Sequence, residues 1–384
     1  MRKEQNPMRT TLSRTLIALA VATGLNLSAA AEEATEHLTT KPMVEPTASR
    51  AFLADLAISH IADGRLHIVD AANGSYLGVL TTGYLGQFIV TPDRKQVLIS
   101  AGYYSRLDKG ERADVLQIYD LGNLKLQGEV ILAPKRAQAL PYRGLLQTSS
   151  DGQRVYVQNA TPATSVTVID LASRQILSEV QTPGCWSIFP SATDHARFST
   201  LCGDGTMLTI ALDDKGATLS QVRSKKFFDA DIDPVFIHGE KVGNSYYFIS
   251  FNGVLHQLNL EGDTPLEVGS WPLAVAGWRP GGYGPLAINP GSGLIYLAMH
   301  PNGKEGSHKV GAKEIWEFDL TSKKLLRRAH ANQEVSLAVT HSGAALLVGV
   351  DAATAALHTY DGVSLKLKKT MKPVGDMPVQ VEMQ

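Results

Sequence analysis

The chain has 384 residues, of which 44% are hydrophobic and 19% are charged, and its formal net charge is −1. A near-neutral chain without a basic excess is not typical of a nucleic-acid-binding protein, which needs cations to neutralise phosphates. After the N-terminal region no stretch approaches the roughly eighteen consecutive apolar residues of a membrane-spanning helix.

Residues 1–31 have the pattern of a secretory signal peptide. The apolar run TLIALAVATGL and the small-residue segment NLSAAA follow a basic front that contains Arg2, Lys3, Arg9 and Arg14. This order is typical of an export signal, and we expect cleavage after Ala31. The alternative is an N-terminal anchor that stays uncleaved. Cleavage would leave 32 basic and 36 acidic residues, a net charge of about −4, and residues 32–48 would form a flexible N-terminal arm.

An internal repeat dominates the remainder of the chain. Each copy is an alternating apolar strand, usually ending near Asp or Asn, then a polar turn and a second strand, which together indicate a hairpin. We count seven copies at intervals of roughly 40 to 60 residues. They begin at Gly64, Asp114, Ser165, Gly205, Gly253, Lys313 and Ala355.

A second kind of hairpin lies between these copies, for example in FIVTPDRKQVLIS and LAVTHSGAALLVGV. Two hairpins per repeat give four strands, which is one blade of a β-propeller. The sequence therefore predicts an all-β chain whose residues 49–384 form a single seven-bladed β-propeller. The segment Arg50–His60 has no hairpin partner before it, so we expect it to pair with C-terminal strands and close the ring.

Cys185 and Cys202 are the only cysteines of the chain. They could be two buried thiols, part of a metal site with His195, or a disulfide across a hairpin. A zinc site needs three or four ligands, usually at tighter spacing. Because the export signal implies an oxidising compartment, a disulfide is the favoured interpretation.

Catalytic and nucleotide-binding motifs are absent from the sequence: it has no Walker loop, no G-x-S-x-G and no H-E-x-x-H. The glycine-rich segment GWRPGGYGPLAINPGSG leads into a strand, so it is interpreted as tight turns with Trp278 and Tyr283 as packing residues rather than as a phosphate cradle. The segment HPNGKEGSHK, with His300 and His308, is either a solvated loop or a partner-contact loop. The same alternatives hold for the charged segment around Arg106 and Arg112.

Several segments together resemble the heavy subunit of the quinoprotein amine dehydrogenases. These segments are YYSRLDKGERADVLQIYD, PKRAQALPYRG, VQNATPATSVTVID, GCWSIFP with LCGDG, SKKFFDADIDPVFI, WRPGGY, and MHPNGKEGSHK with EIWEFD. The resemblance extends from about Phe52 to the end of the chain. It is closer to the aromatic (aralkyl)amine dehydrogenases than to the methylamine dehydrogenases.

The resemblance implies a periplasmic α2β2 heterotetramer of two heavy and two light (beta) subunits. The light subunit of this family carries tryptophan tryptophylquinone and many disulfides, whereas this chain has four tryptophans and only two cysteines. It therefore resembles the heavy subunit, with no catalytic residue, metal or covalent cofactor of its own. The implied reaction converts arylalkyl primary amines to aldehydes and ammonia, and electrons pass to a blue-copper protein of the azurin or amicyanin type.

The resemblance also implies a contribution of this chain to the substrate channel. In the family an aromatic residue, usually Phe, lines the channel in a segment matching TTGYLGQFIV, and here that position is Tyr84 with Leu85 beside it. The alternative is that Tyr84 is an ordinary turn aromatic. We name as partner-contact candidates Arg106, Arg112, Trp278, Arg279, Tyr283, His300 and His308. Two other functions remain open, a stand-alone lactonase-type hydrolase and a ligand-binding module.

Overall fold

The computed structural model describes residues 42–341 and 345–384, and it confirms an all-β chain. The first fifteen strands are β1 (Arg50–Asp55), β2 (Gly64–Asp70), β3 (Ser75–Gly83), β4 (Gln87–Val90), β5 (Gln96–Arg106), β6 (Lys109–Asp120), β7 (Leu126–Leu132), β8 (Leu146–Thr148), β9 (Arg154–Asn159), β10 (Ser165–Asp170), β11 (Gln175–Gln181), β12 (Cys185–Pro190), β13 (Arg197–Cys202), β14 (Met207–Leu212) and β15 (Thr218–Arg223).

The remaining strands are β16 (Val235–Val242), β17 (Ser245–Ser250), β18 (Val254–Asn259), β19 (Leu266–Pro272), β20 (Trp278–Pro280), β21 (Leu286–Asn289), β22 (Leu294–Pro301), β23 (Glu314–Asp319), β24 (Leu325–His330), β25 (Ser336–Val339), β26 (Leu346–Asp351), β27 (Ala356–Asp361), β28 (Leu367–Met371) and β29 (Pro378–Met383). Three short 3-10 helices span Ile58–Asp63, Arg143–Leu145 and Ser307–Lys309. Within the described part of the chain no helix is long and apolar enough to cross a membrane.

The strands form antiparallel sheets, most of them with four strands in chain order. Four-stranded sheets consist of β8 to β11, β12 to β15, β16 to β19 and β25 to β28, and a fifth sheet joins β20 and β21 to β22, β23 and β24. The eight-stranded sheet contains β29, β1, β2 and β3, followed by β4 to β7. Its two halves meet through one parallel bridge, between Gly83 and Gly102.

The first and last strands of the described residues are paired. β1 lies between β2 and β29, with Ala51 opposite Met383 and Leu53 opposite Val381. The predicted pairing of the segment Arg50–His60 with a C-terminal strand is thus confirmed for β1, whereas the following residues enter the first 3-10 helix.

The repeated aspartate at the end of the third strand has a structural cause. In four copies the amide four residues after this aspartate donates to its backbone carbonyl at 2.8 Å, and the donors are Gly74, Leu124, Lys323 and Leu365. All four donors have positive φ, between 54° and 77°. The aspartate carboxylate accepts further amides within the turn, as Asp70 Oδ1 does from Ala72 at 2.9 Å. Because the aspartate side chain caps its own turn, aspartate recurs at the end of the third strand and makes the repeat recognisable in the sequence.

Neighbouring strands within each sheet are antiparallel. The segments that link one sheet to the next therefore lie at the same end of the strands as the turns between second and third strands. We call this the loop end. Direct contacts join neighbouring loops there: the Tyr142 amide donates to Gln87 Oε1 at 3.0 Å, and Gly284 forms a parallel bridge with Ser336. Residues that are far apart in the sequence therefore lie close together at the loop end.

Residues 1–41, which include the predicted signal peptide and most of the predicted arm, lie outside the described residues. The last part of that arm contacts the first sheet. The Met43 amide donates to the carbonyl of Gly122 at 2.7 Å, and the Met43 side chain packs against the core around Phe52.

Cys185 and Cys202 form a disulfide between β12 and β13, where they lie directly opposite each other. The favoured interpretation is confirmed, and the alternatives of free thiols and a metal site with His195 are wrong. His195 is exposed, and its Nδ1 lies 3.9 Å from Asp151 Oδ2. The bridge sits at the loop end and closes a loop across a sequence separation of 17 residues.

Replacing both cysteines with alanine should lower the free energy of unfolding by about 3 kcal/mol, because the unfolded chain regains the loop entropy that the bridge removes. Urea unfolding monitored by circular dichroism would measure the difference. The oxidised wild-type protein treated with a reductant should show a similar loss. Unchanged stability in both samples would contradict the expectation.

Candidate functional site at the loop end

The turn that carries Tyr84 joins β3 to β4. The Tyr84 amide donates to the carbonyl of Gly102 at 2.8 Å, and Leu85 has a φ of 48°. The half-buried Tyr84 ring meets the Tyr104 ring edge-on, with centroids 5.6 Å apart and an interplanar angle of 88°. We call residues 84–86 the aromatic turn. Its geometry presents one aromatic side chain, partly exposed, on a fixed backbone.

A buried arginine binds the backbone of the aromatic turn. Arg136 is 2% exposed, and its Nη2 and Nη1 donate to the carbonyls of Tyr84 and Leu85, each at 2.8 Å. Burial lowers the pKa of Arg136 to about 10, while the nearby Asp114 carboxylate acts in the opposite direction. The cation therefore remains charged at neutral pH and donates a hydrogen bond to each of these two carbonyls.

Arg112, a partner-contact candidate, is engaged within the chain. Its Nε and Nη2 donate to the two oxygens of Asp114 at 2.8 and 2.6 Å, and Nη2 also donates to the carbonyl of Arg136 at 2.7 Å. The fully buried Asp114 carboxylate is the acceptor of this bidentate pair, and the third hydrogen bond joins Arg112 to the backbone of Arg136. Arg112 therefore supports Arg136 and hence the aromatic turn. Arg106, by contrast, is exposed at the end of β5, and its contact with a partner stays a prediction.

Gln87 links the aromatic turn to the next loop. Its Nε2 donates to the carbonyls of Leu85 and Ala139, both at 3.2 Å, and its Oε1 accepts the Tyr142 amide at 3.0 Å. Gln87 is 2% exposed, so its amide group is committed to these internal contacts. The segment PKRAQALPYRG therefore lies alongside the aromatic turn.

A groove of about 840 Å³ lies next to this segment. Four segments that carry the family resemblance contribute to it, and its lining residues are Tyr142, Ala230, Asp231, Ile232, Pro234, Val235, Phe236, Ile237, Phe251, Asn252, Arg279, Gly282, Tyr283, Gly303, Lys304, Glu305, Gly306, His308 and Lys309. Arg279, Tyr283 and His308 were candidates from the sequence. Their convergence on one concave surface makes this groove the second part of the candidate site.

His300 corrects one expectation from the sequence. Its ring is 2% exposed and therefore does not form a contact surface. Nδ1 lies 3.1 Å from the carbonyl of Pro301 and donates to it, which leaves Nε2 to accept from Ser307 Oγ at 3.4 Å. Ser307 Oγ in turn accepts the Lys304 amide at 3.0 Å. His300 supports the loop from inside, while His308 on the same loop is exposed and lines the groove.

Trp278 is a packing residue, as the tight-turn interpretation predicts. Its ring lies 5.4 Å from that of the fully buried Trp316, and the Arg328 guanidinium lies within 5 Å of both rings, at 4.8 and 4.5 Å. The carbonyl of Trp278 accepts a hydrogen bond from Arg279 Nη1 at 2.9 Å. This stack fixes the position of β20. Arg279, which follows Trp278 in β20, therefore lies in the lining of the groove.

The WRPGGY segment requires glycine at one position for a steric reason. Gly282 has a φ of 110°, and a Cβ there would lie 2.3 Å from the carbonyl oxygen of Val335. No other residue fits this close approach without moving the backbone. The turn places Tyr283 against the groove.

The structure also contains a charged cluster that no sequence motif indicates. Arg143 lies between two carboxylates, with its Nη1 2.7 Å from Glu240 Oε1 and its Nη2 2.5 Å from Glu382 Oε2. His238 Nε2 lies 3.0 Å from Glu240 Oε1. Burial would raise the pKa of Glu240, but the Arg143 guanidinium lowers it to about 2. These residues come from two sheets and from the 3-10 helix before β8, and they have no common spacing in the sequence.

This cluster has the composition of an ion-pair network rather than a metal centre. The arginine neutralises the carboxylates that a metal ion would need. No group of three or more His, Cys, Asp or Glu residues among the described residues could hold a metal ion.

Comparison with known proteins identifies the family. The sequence profile described as "Methylamine dehydrogenase heavy chain (MADH)" matches residues 47–383. The chain belongs to this family. Its resemblance to the heavy subunits of quinoprotein amine dehydrogenases is thereby confirmed, while the match does not distinguish aromatic from aliphatic amines.

Curated relatives carry the same family name. The methylamine dehydrogenase heavy chain of Methylobacillus flagellatus is 24% identical over 351 residues, covering 89% of this chain and 86% of its own. That of Methylophilus methylotrophus is 25% identical over 346 residues, with coverages of 86% and 82%. That of Paracoccus versutus is 24% identical over 343 residues, with coverages of 87% and 79%.

Two solved structures are similar in fold. The dihydro-heme d1 dehydrogenase NirN in complex with DHE has a TM-score of 0.55 at 16% identity, covering 89% of this chain and 76% of its own. A functionally unknown protein from Desulfotomaculum acetoxidans has a TM-score of 0.59 at 11% identity, with coverages of 87% and 98%. At these identities the likeness concerns the fold alone, so function rests on the heavy-chain family.

Proposed function

We propose that this protein is the heavy subunit of a periplasmic amine dehydrogenase that oxidises arylalkyl primary amines to aldehydes and ammonia. Its role is to bind the quinone-bearing light subunit in an α2β2 assembly and to shape the entrance for substrate. The family match over residues 47–383 carries the proposal. Electrons then leave to a blue-copper protein of the azurin or amicyanin type.

The quinone belongs to the light subunit in this proposal, and this chain's tryptophans are unsuited to carry one. Of the described tryptophans, Trp278 and Trp316 lie closest together, but Trp316 is fully buried and both rings stack on Arg328. Substrate would have no access to a quinone at that position. When bound in the partner, the quinone supplies the acceptor for the two electrons of the amine.

The contribution of this chain to the reaction is the aromatic turn. Tyr84 presents an aromatic ring and a hydroxyl, and Leu85 adds an apolar side chain, on a backbone that Arg136 and Gly102 fix. A pre-positioned aromatic surface favours the aryl group of a substrate over a small aliphatic amine. This is the observation that supports aromatic specificity. The groove and Arg106 then serve as contacts for the partner.

We further propose that residues 49–384 form one closed seven-bladed propeller. Each half of the eight-stranded sheet counts as one blade, and the five remaining sheets each supply one more. The innermost strands also contact one another in the order β4, β8, β12, β16, β21, β25 and β29. This count agrees with the seven sequence repeats.

Export to the periplasm is proposed from residues 1–31 and from the disulfide. A disulfide at a sequence separation of 17 is expected in an oxidising compartment and is rare in the cytosol. The N-terminal sequence of the purified protein should accordingly begin at Glu32.

Purification from the periplasmic fraction of the native host tests the function. We expect a small cysteine-rich partner at equal stoichiometry and a visible quinone absorption band that bleaches on adding phenylethylamine. At equal concentration, methylamine should bleach it far more slowly, because it has no aryl group to contact Tyr84. A single colourless species without a partner would overturn the proposal. Bleaching by methylamine alone would overturn only the aromatic specificity.

A further inference from the structure

The groove carries cations that the chain itself leaves unpaired. Arg279, Lys304 and Lys309 line it, and none of them lies within ion-pair distance of a carboxylate in residues 42–341 and 345–384. Some lysines elsewhere do form ion pairs within the chain, as Lys135 does with Glu179 at 2.8 Å and Lys226 with Asp229 at 2.7 Å. The rim of the groove therefore offers charge for a partner to neutralise.

The groove also exposes large apolar side chains at its edge. Ile232 is 77% exposed, and Val310, which follows the lining loop, is 42% exposed. Phe236, Phe251 and Tyr283 continue the apolar surface within the groove. Exposed apolar groups that border a concave surface are typical of a protein interface.

The balance of charge at the groove favours an acidic partner. Three cationic side chains line it against two carboxylates, Asp231 and Glu305. This local surplus contrasts with the whole chain, whose formal net charge is −1. The loop that carries both lysines is anchored by the buried His300 and Ser307, so its backbone is in position before a partner arrives.

We propose that the groove is the docking site for an extended segment of the small subunit that carries carboxylates on either side of an apolar side chain. The apolar side chain packs against Phe236 and Phe251 beside Ile232, and the carboxylates pair with Lys304, Lys309 and Arg279. This inference rests on the proposed function, because the small subunit supplies the segment. A volume of about 840 Å³ accommodates a short stretch of peptide and not a folded domain.

Charge reversal tests the proposal in the assembled enzyme. The variant combining Lys304→Glu with Lys309→Glu should bind the small subunit at least tenfold more weakly at low ionic strength. The deficit should shrink in 0.5 M salt, where the Debye length is only about 4 Å. The variant Ile232→Asp should weaken binding at both salt concentrations, because it removes an apolar contact. Association is measured by titrating tagged heavy subunit with purified small subunit.

A matched control variant combines Lys125→Glu with Lys215→Glu. Both lysines are exposed and lie in turns between third and fourth strands, at the end opposite the loop end. This control should bind the small subunit as the wild-type protein does, and circular dichroism should show that all variants are folded.

Wild-type affinity of the groove variants for the small subunit would overturn the docking site. If these variants also transferred electrons more slowly to the copper protein, the groove would be assigned to the electron acceptor instead. Failure of the proposed function is a different result, since the wild-type chain would then bind no small subunit at all.

Discussion

Replacing Arg143 with methionine is expected to lower the free energy of unfolding by about 3–5 kcal/mol, because it leaves two carboxylates without their shared cation. Glu240 is 6% exposed and Glu382 is 20% exposed at the side chain, so water compensates little for the loss. The two glutamates lie on β16 and β29, and Arg143 lies in the 3-10 helix before β8, so one side chain joins two sheets and this helix. Urea unfolding at pH 7 measures the effect.

A second substitution separates charge from packing. Adding Glu240→Gln and Glu382→Gln to the Arg143→Met variant should recover a large part of the lost stability, since no buried charge is then left unpaired. Equal instability of the single and triple variants would show that packing, and not charge, is the role of Arg143.

The stability difference between the wild-type protein and the Arg143→Met variant should also depend on pH. Glu240 has a folded-state pKa of about 2, below its usual value near 4.3. Its contribution is therefore fully present above the usual value and is lost as the pH falls through the folded-state value. Unfolding measured from pH 7 down to pH 2 should show the two proteins converging.

Replacing Arg136 with methionine is the other change with a large expected effect. It removes the donors to the carbonyls of Tyr84 and Leu85 and leaves the fully buried Asp114 with Arg112 as its remaining cation. We expect a loss of about 3 kcal/mol in unfolding free energy. Hydrogen exchange at the amides of residues 84–87 should accelerate by more than the global loss of stability explains.

The conservative variant Arg136→Lys provides the control for this prediction. Lysine keeps the charge, but it lacks the fork that reaches two carbonyls at once. It should therefore retain part of the stability and still lose protection in the aromatic turn. Exchange rates identical to those of the wild-type protein in both variants would contradict the role assigned to Arg136.

Local features of this chain were predictable from sequence, whereas of the long-range features only the pairing of β1 with a C-terminal strand was predicted. The repeated hairpins were visible because each aspartate caps its own turn within five residues, as Asp70 does. The disulfide followed from two cysteines at hairpin spacing, which Cys185 and Cys202 confirm. In both cases the interacting groups lie close together along the chain.

The groove and the Arg143 cluster have no such local signal. Arg143 and Glu382 are 239 residues apart, and only tertiary packing between β29 and the segment before β8 brings them together. The prediction that His300 contacts a partner is wrong for a related reason. A histidine beside a polar, glycine-rich segment looks exposed, yet His300 lies near the end of β22 and the following loop folds around it through Ser307. Burial of such a residue depends on tertiary contacts that a pattern of residue types does not contain.

The pairing of β1 with β29 has a consequence for the order of synthesis. β1 is synthesised well before β29, and until residues 378–383 emerge, the edge of β1 that pairs with β29 has no partner there. That edge is a template for another copy of the chain, so an incomplete or truncated chain is prone to strand exchange. The residue that follows β29 is held at this edge as well, because the Gln384 amide donates to the carbonyl of Arg50 and Gln384 is 6% exposed.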